Sequence, residues 1–379
     1  MLGAGGTIAP AIVRDLAESD EVSELLLLDL DLERADRVAT AHGGGKARAA
    51  RADATASADA VDSLFAALEG CAVLVNSASY RVNLGAMDAC LGAGAHYLDL
   101  GGLYWMTGRQ LERSPEFEAA GLLAMLGVGS APGKTNLLAD WAVDELMTRD
   151  PAAPGRGAEE AAGIDSIAVS AAGRDLEPPD GLSVPYALRT IVDELTLAPV
   201  VLSGGESAEI DPLSPGGKVE FGDPIGAAET IYTLHSELRT FGDSFGCRDA
   251  SFRLSLAPKV LERVRALVGA PDAEIEQAAR EALPPSPRTI AVHVVDAEAD
   301  GRRARVRAVT EPMEEWGIGG GVVSTAAPAA AAVRLLARGR VSARGALPPE
   351  RCLDRREMFT ELERRACTFE INVEEAARA

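Results

Sequence analysis

Cysteine is scarce in this 379-residue sequence: Cys71, Cys90, Cys247, Cys352 and Cys367 are scattered, and no two form a CxxC pair. An odd, dispersed set excludes a disulfide framework and a thiolate zinc site, and it fits a reducing cytoplasm. No metal site is expected. Basic residues are outnumbered, with 37 Lys and Arg against 58 Asp and Glu and a net charge of −21. That balance repels phosphates and argues against nucleic acid or a membrane surface as partner. Charge-free apolar runs of about 18 residues are missing, as is a basic segment leading into an apolar one at the start. A soluble, cytoplasmic protein is therefore expected. There is no internal repeat. Also short is the opening: in "MLGAGGTIAPAIVRDL" only Met1 and Leu2 precede a glycine-rich turn.

What is present is 47% hydrophobic residues, enough for two cores. Up to about Gly129, near-continuous apolar runs alternate with helical segments. The runs are "ELLLLDLD" (24–31), "CAVLVNSA" (71–78), "AHYLDLGG" (95–102) and "LLAMLGVG" (122–129). Such runs suit strands buried on both faces of a parallel sheet. With "TIAPAIVRDLAES", "SADAVDSLFAALEG" and "NLGAMDACLGAGA" as helices between them, they spell an α/β, doubly wound sheet of Rossmann type. After Gly133 the pattern changes. The Pro-, Gly- and Ala-rich stretch 150–163 reads as a loop or linker. Strands are expected in 164–173, 250–256 and 289–310, the last a hairpin turning at Asp300-Gly301. Helical segments accompany them, so a second α+β domain with a mixed sheet is expected. The Ala-rich run 326–339 reads as a helix stopped by Gly339.

The turn "GAGGTI" supplies the first two glycines of the dinucleotide fingerprint, Gly3 and Gly5, with Gly6 and Thr7 beside them. Those glycines allow a tight turn and a close approach of backbone N–H groups to a pyrophosphate. Ile8 stands where the third glycine would lie, a departure that affects helix packing more than phosphate binding. About 20 residues on, Asp29 ends the run "LLLLD", where a carboxylate can accept from the adenosine ribose hydroxyls. A carboxylate there repels a 2′-phosphate, so NAD is favoured over NADP. Asp31 is the alternative if the register slips by two. Asp53 is added to the expected cofactor contacts.

The block "VLVNSASYRVNLGAMDACLGAGAHYLDLGG", followed by "GVGSAPGKTNLLADWAVDEL", resembles the saccharopine dehydrogenase-like oxidoreductases, with the lysine 6-dehydrogenases as the nearest branch. The shared pieces are the strand-ending "VVN"-type turn, Tyr80 and Asn83 three apart, the "ACLGAGAHYLDLGG" unit and the Ala131-Pro132-Gly133 to Asn136 motif. The likeness is strong over residues 3–140 and faint beyond.

The resemblance implies a Rossmann domain over 1–133, a substrate-binding and dimerising domain over 134–325, and a segment 326–379 returning to the first domain. It places Asn76, Ser77, Ala78, Asp99 and Gly101 beside the cofactor. Tyr80, Asn83, Gly102, Pro132, Gly133, Lys134, Asn136 and Arg239 become candidates for an amino-acid-like substrate. Asp99 and His235 are the candidate proton-transfer groups, although a backbone-capping role is the more frequent use of an Asp at such a position. Lys134 departs from the apolar residue common there. It is either a solvent-facing helix start or an extra cation for an acidic substrate. His42, His96 and His293 carry no signal, and Tyr97 reads as core. The implied activity is NAD-dependent oxidation of a C–N bond in lysine or a related diamino acid. Reductive condensation of an amine with a carbonyl partner and a non-catalytic nucleotide sensor are the alternatives. A homodimer is expected. Because the first strand of such a sheet is central, Met1-Leu2 are expected to be its end, with the natural gene starting roughly 4–6 residues earlier.

Overall fold

The computed structural model describes residues 1–147, 163–184 and 186–375. Its first sheet contains β1 (Leu25–Asp29), β2 (Ala47–Arg51), β3 (Val73–Asn76), β4 (His96–Asp99) and β5 (Leu123–Met125), with every pairing parallel. β1 and β3 do not touch. Met1 and Leu2 lie between them: Leu28 N donates to Met1 O (2.8 Å), Leu2 N to Val75 O (2.9 Å) and Ser77 N to Leu2 O (3.0 Å). The order is thus β2-β1-Leu2-β3-β4-β5, the arrangement of a dinucleotide-binding sheet with a single bridging residue as its central strand.

The second sheet is mixed. It contains β6 (Ser166–Asp175), β7 (Val200–Ser203), β8 (Glu206–Glu209), β9 (Pro215–Glu220), β10 (Ala227–Tyr232), β11 (Asp249–Ser255), β12 (Thr289–Ala299) and β13 (Arg302–Thr310). β6 and β11 run parallel, while β12 pairs antiparallel with both β6 and β13. The β12–β13 hairpin turns at Asp300 and Gly301, both at positive φ (52° and 72°), as an Asp-Gly turn of this kind requires. Near the carboxyl end the chain visits both sheets. β14 (Gly345–Leu347) pairs with β5, and β15 (Cys367–Glu375) pairs with β13.

Two strands of the first sheet carry no strand signal. β2 is "ARAAR", without a β-branched residue, and β14 is three residues long. Position beside a formed strand makes them, not propensity. The linker expected over 150–163 lies outside the described residues except for Gly163.

The Ala-rich helix Gly320–Ala337 has the length and mean hydropathy (1.4) of a membrane span, yet 78% of it is buried inside the protein. Small residues let it pack closely in the core with helix Ala9–Ala17. Its Arg334 is fixed by Asp15 (2.6 Å) and Glu361 (2.7 Å), pinning helices Ala9–Ala17 and Arg355–Glu363 to it.

Candidate active site

A cavity of about 950 Å³ opens between the carboxyl ends of β3–β5 and one face of the second sheet. In an open α/β sheet this is where ligands bind.

The nucleotide end is built by the glycine turn. Gly3 holds φ +75°, and a Cβ on it would meet Ala78 N at 2.6 Å, so only glycine lets the turn approach the end of β3. Helix Ala9–Ala17 follows, and no side chain caps its start at Ile8; Pro10 has no N–H and Ala11 N donates to Ile8 O (3.2 Å), so of its first turn the Ala9 N–H is left for an anion. Asp29 Oδ2 accepts from Gly5 N at 2.8 Å, which sets the carboxylate beside the turn. Asp31 instead caps the next helix by accepting from Arg34 N (3.1 Å). These residues fit a dinucleotide. Asp53 is half-buried and accepts locally from Thr55 N (2.8 Å) and Thr55 Oγ1 (2.6 Å), and it does not line the cavity.

Asp99 is a structural hub. Its Oδ1 accepts from Gly101 N (2.9 Å) and Gly127 N (2.7 Å), and its Oδ2 from Tyr97 Oη (2.9 Å), Asn83 Nδ2 (3.1 Å) and Gln110 Nε2 (2.6 Å). Burial raises its pKa against those donors. With its acceptor sites filled by the protein and no place in the cavity wall, it does not serve as the proton-transfer group. Its work is positional, tying β4 to the loops that carry Gly101 and Pro132. Asn76 acts similarly: its Oδ1 accepts from Ala78 N (3.1 Å) and its Nδ2 donates to Asn83 (2.9 Å), which shapes the Ser77-Ala78 turn.

Of the expected substrate residues, Tyr80 and Pro132 line the cavity, as do Ile8, Ser77, Ala78 and Gly101 of the expected cofactor contacts. Asn83, Gly102, Gly133, Lys134, Asn136 and Arg239 do not line it. Gly133, at φ +123°, has no room for a Cβ, which would meet Gly129 N at 2.4 Å. Asn136 caps Gly133 N (2.8 Å) and donates to Glu350 (2.8 Å). Lys134 is not solvent-facing: only 1% of it is exposed, and burial lowers its pKa.

His235 is on the cavity wall. Its ring stacks on Phe252 (centroids 3.5 Å, 11° between planes), and its Nδ1 lies 2.9 Å from Glu237 Oε2. Glu237 Oε1 accepts from Thr135 Oγ1 at 2.7 Å. Burial alone would lower the His235 pKa, but the Glu237 carboxylate and the Glu194 charge outweigh it and the pKa is raised. Glu194, also on the wall, is pushed up to about 7 by burial, against the opposing pull of His235 and a hydrogen bond from Tyr186 Oη.

Three titratable wall residues were not flagged by the sequence: Glu194, Arg174 and His293. Arg174 donates to Gly173 O (2.7 Å), Ser255 O (3.1 Å) and Ser255 Oγ (2.8 Å). No carboxylate among the described residues pairs with it, whereas the wall residues Arg81 and Arg189 both pair with Asp193 (3.2 and 3.1 Å). An acid on the apolar stripe of helix Leu188–Thr196, and a histidine inside the apolar strand "TIAVHVVD", were the signals available.

Residues 1–125 match the family model described as the saccharopine dehydrogenase NADP-binding domain. Over 149 residues the chain is 31% identical to the carboxyaminopropylagmatine dehydrogenase of Synechocystis sp., a match spanning 38% of this chain and 37% of that relative's length. The solved structure of saccharopine dehydrogenase (L-Glu forming) from Saccharomyces cerevisiae covers 98% of both chains with a TM-score of 0.70 at 15% identity, which shows a shared fold. The fold and site thus define a nucleotide-binding oxidoreductase architecture of Rossmann type with a mixed-sheet second domain. Residues 1–125 are thus similar to the saccharopine dehydrogenase NADP-binding domain, and the chain as a whole shares the fold of saccharopine dehydrogenase.

Proposed function

We propose that the protein is an NAD-dependent dehydrogenase that oxidises a C–N bond of lysine or a related diamino acid. The observation that carries this reading is the pair of opposite features on the cavity wall. One is the Glu194–His235–Glu237 cluster, and the other is Arg174, a guanidinium without a carboxylate partner. The acidic cluster attracts the substrate ammonium and Arg174 receives its carboxylate. A dinucleotide whose pyrophosphate lay at the glycine turn would supply its nicotinamide as the hydride acceptor.

Hydride departure from the carbon requires a neutral amine. Among the described residues none partners His235 Nε2, while Glu237 accepts from its Nδ1–H, so His235 is oriented to take the ammonium proton. Glu237 then stabilises the imidazolium that forms. Asp29 beside the ribose position favours NAD; Arg34, whose Cβ lies at Gly5, is the feature that would serve a 2′-phosphate. A homodimer in the cytoplasm belongs to the same proposal.

A second reading, reductive condensation of an amine with a keto acid or aldehyde, is favoured by the size of the cavity. At about 950 Å³ it has room for two small reactants. The test is a panel assay. NAD reduction by diamino acids, and loss of the signal with diamines lacking the carboxylate, supports the first reading. Oxidation of reduced dinucleotide only when an amine and a carbonyl compound are both present replaces it with the second.

A further inference from the structure

Strand β6 carries a glycine that its own fold does not require. Gly173 lies two residues before the end of the strand and lines the cavity, where it is half-buried. It does not hold a positive φ. A Cβ built on it would meet a single atom within 4 Å, Ile290 O at 3.6 Å, which is ordinary contact. Gly3 and Gly133 differ, because a Cβ on either collides with backbone. Glycine inside a strand costs backbone entropy and forgoes side-chain packing, and it often marks the close approach of a ligand.

The register of the sheet shows what surrounds that space. Gly173 pairs with Ala291 of β12, and Ala171 pairs with His293. On the other side Ala171 stands beside Leu254 of β11, and Val169 beside Phe252, the residue under the His235 ring. Residues two apart share a face of the sheet. The floor of the cavity therefore starts at Val169 and Phe252 and deepens through Ala171 to the Gly173–Ala291 pair. Four residues of strand separate its ends, about 13 Å. At the near end His235 is 5% exposed, and its Nε2 has no partner among the described residues. At the far end Gly173 is followed by Arg174. Leu182, Ala187 and Val260 line the same cavity, so its apolar character is not confined to the floor.

We infer that Gly173 determines specificity: the unbranched, uncharged carbon chain of a diamino acid lies over the Gly173–Ala291 pair, with its amine toward His235. The side chain that Gly173 lacks is the room the chain occupies, and it sets how long a chain the site accepts. This rests on the reading of the cavity as an amine-oxidising site.

The test measures NAD reduction by diaminobutyrate, ornithine and lysine, which lengthen by one methylene at each step. Wild type, Gly173→Ala and Gly173→Val are compared, with thermal unfolding and NADH titration of each protein. Wild-type kcat/KM rises by about 3- to 4-fold per methylene, the gain for burying one CH2 group. Gly173→Val removes that rise and lowers lysine relative to diaminobutyrate by about 10-fold, the scale of one misfitting group in a pocket. Gly173→Ala falls between the two. The Tm of both variants stays level or rises, because a strand interior gains a side chain in open space. NADH affinity is unchanged. Wild-type selectivity retained in Gly173→Val overturns the inference, as does an equal loss with all three substrates. A Tm several degrees lower in Gly173→Ala also overturns it, since the glycine then serves packing. Weakened NADH binding with unchanged selectivity overturns it by giving the floor to the cofactor. Wild-type protein that binds NADH and oxidises none of the three contradicts the amine-oxidising reading itself.

Discussion

His235 Nδ1 lies 2.9 Å from Glu237 Oε2, with both side chains buried and the imidazole face-on to Phe252. A carboxylate there does two things: it fixes which nitrogen faces the cavity, and it supports positive charge on the ring. Glu237→Gln keeps the shape and removes the charge. We expect kcat for amine oxidation to fall by about 100-fold, within the range of general-base contributions, with little change in substrate KM. The pH at which activity rises should also move downward, because the His235 pKa loses its main support. Steady-state pH profiles of the two proteins check this, and superimposable profiles refute it.

Glu194 titrates near neutrality. Burial holds its carboxyl up at about 7, with His235 and Tyr186 pulling down and Glu237 and Asp193 pushing up. Below that pH it is neutral, and above it the carboxylate attracts the substrate ammonium. KM for the amine should therefore fall as pH rises through about 7, and Glu194→Gln should abolish that trend. Stability runs the other way. A carboxyl whose folded pKa exceeds its ordinary 4.5 contributes stability below the lower value, lost as pH rises through the higher one. The Tm of the ligand-free protein should decline from about pH 5 to about pH 8, and decline less in Glu194→Gln.

Asp99 accepts hydrogen bonds from Tyr97, Asn83, Gln110, Gly101 and Gly127, so Asp99→Ala strands all of those donors. The loss should be about 3 kcal/mol or more, placing it among the severe single substitutions. Urea unfolding of the variant measures it. A loss under about 1 kcal/mol would mean the network is incidental.

Asp29→Ala should raise KM for NAD and relax discrimination against NADP, since the carboxylate beside Gly5 is removed while Arg34 stays. Kinetics with both cofactors check this. Unchanged constants for both would remove Asp29 from the ribose site.

The parallel sheet was legible because β1, β3, β4 and β5 are buried on both faces and read as apolar runs. β2 and β14 were not, since "ARAAR" and a three-residue segment form strands only against a neighbour already in place. Site residues close in sequence to the glycine turn and to the strand ends were legible for the same local reason. Those from the second domain depend on which way a long strand or helix presents its faces. His293 sits in an apolar run that gives no hint of the cavity beside it. Lys134 read as either a helix start open to solvent or an extra cation for substrate, but β13, β15 and helix Gly320–Ala337 close over it through Thr310, Cys367 and Ser324. Asp99 was correctly placed at the strand end and wrongly assigned to chemistry. A strand-end carboxylate beside glycine loops is as readily consumed by backbone N–H groups as left free for substrate.

The most direct test of the account follows the transferred hydrogen. The protein is incubated with NAD and lysine carrying deuterium on the carbon that bears the side-chain amine, and the reduced dinucleotide is analysed by mass spectrometry. The account predicts NADH that carries one deuterium. Absence of reduced dinucleotide, or reduced dinucleotide without the label, would contradict oxidation of that C–N bond.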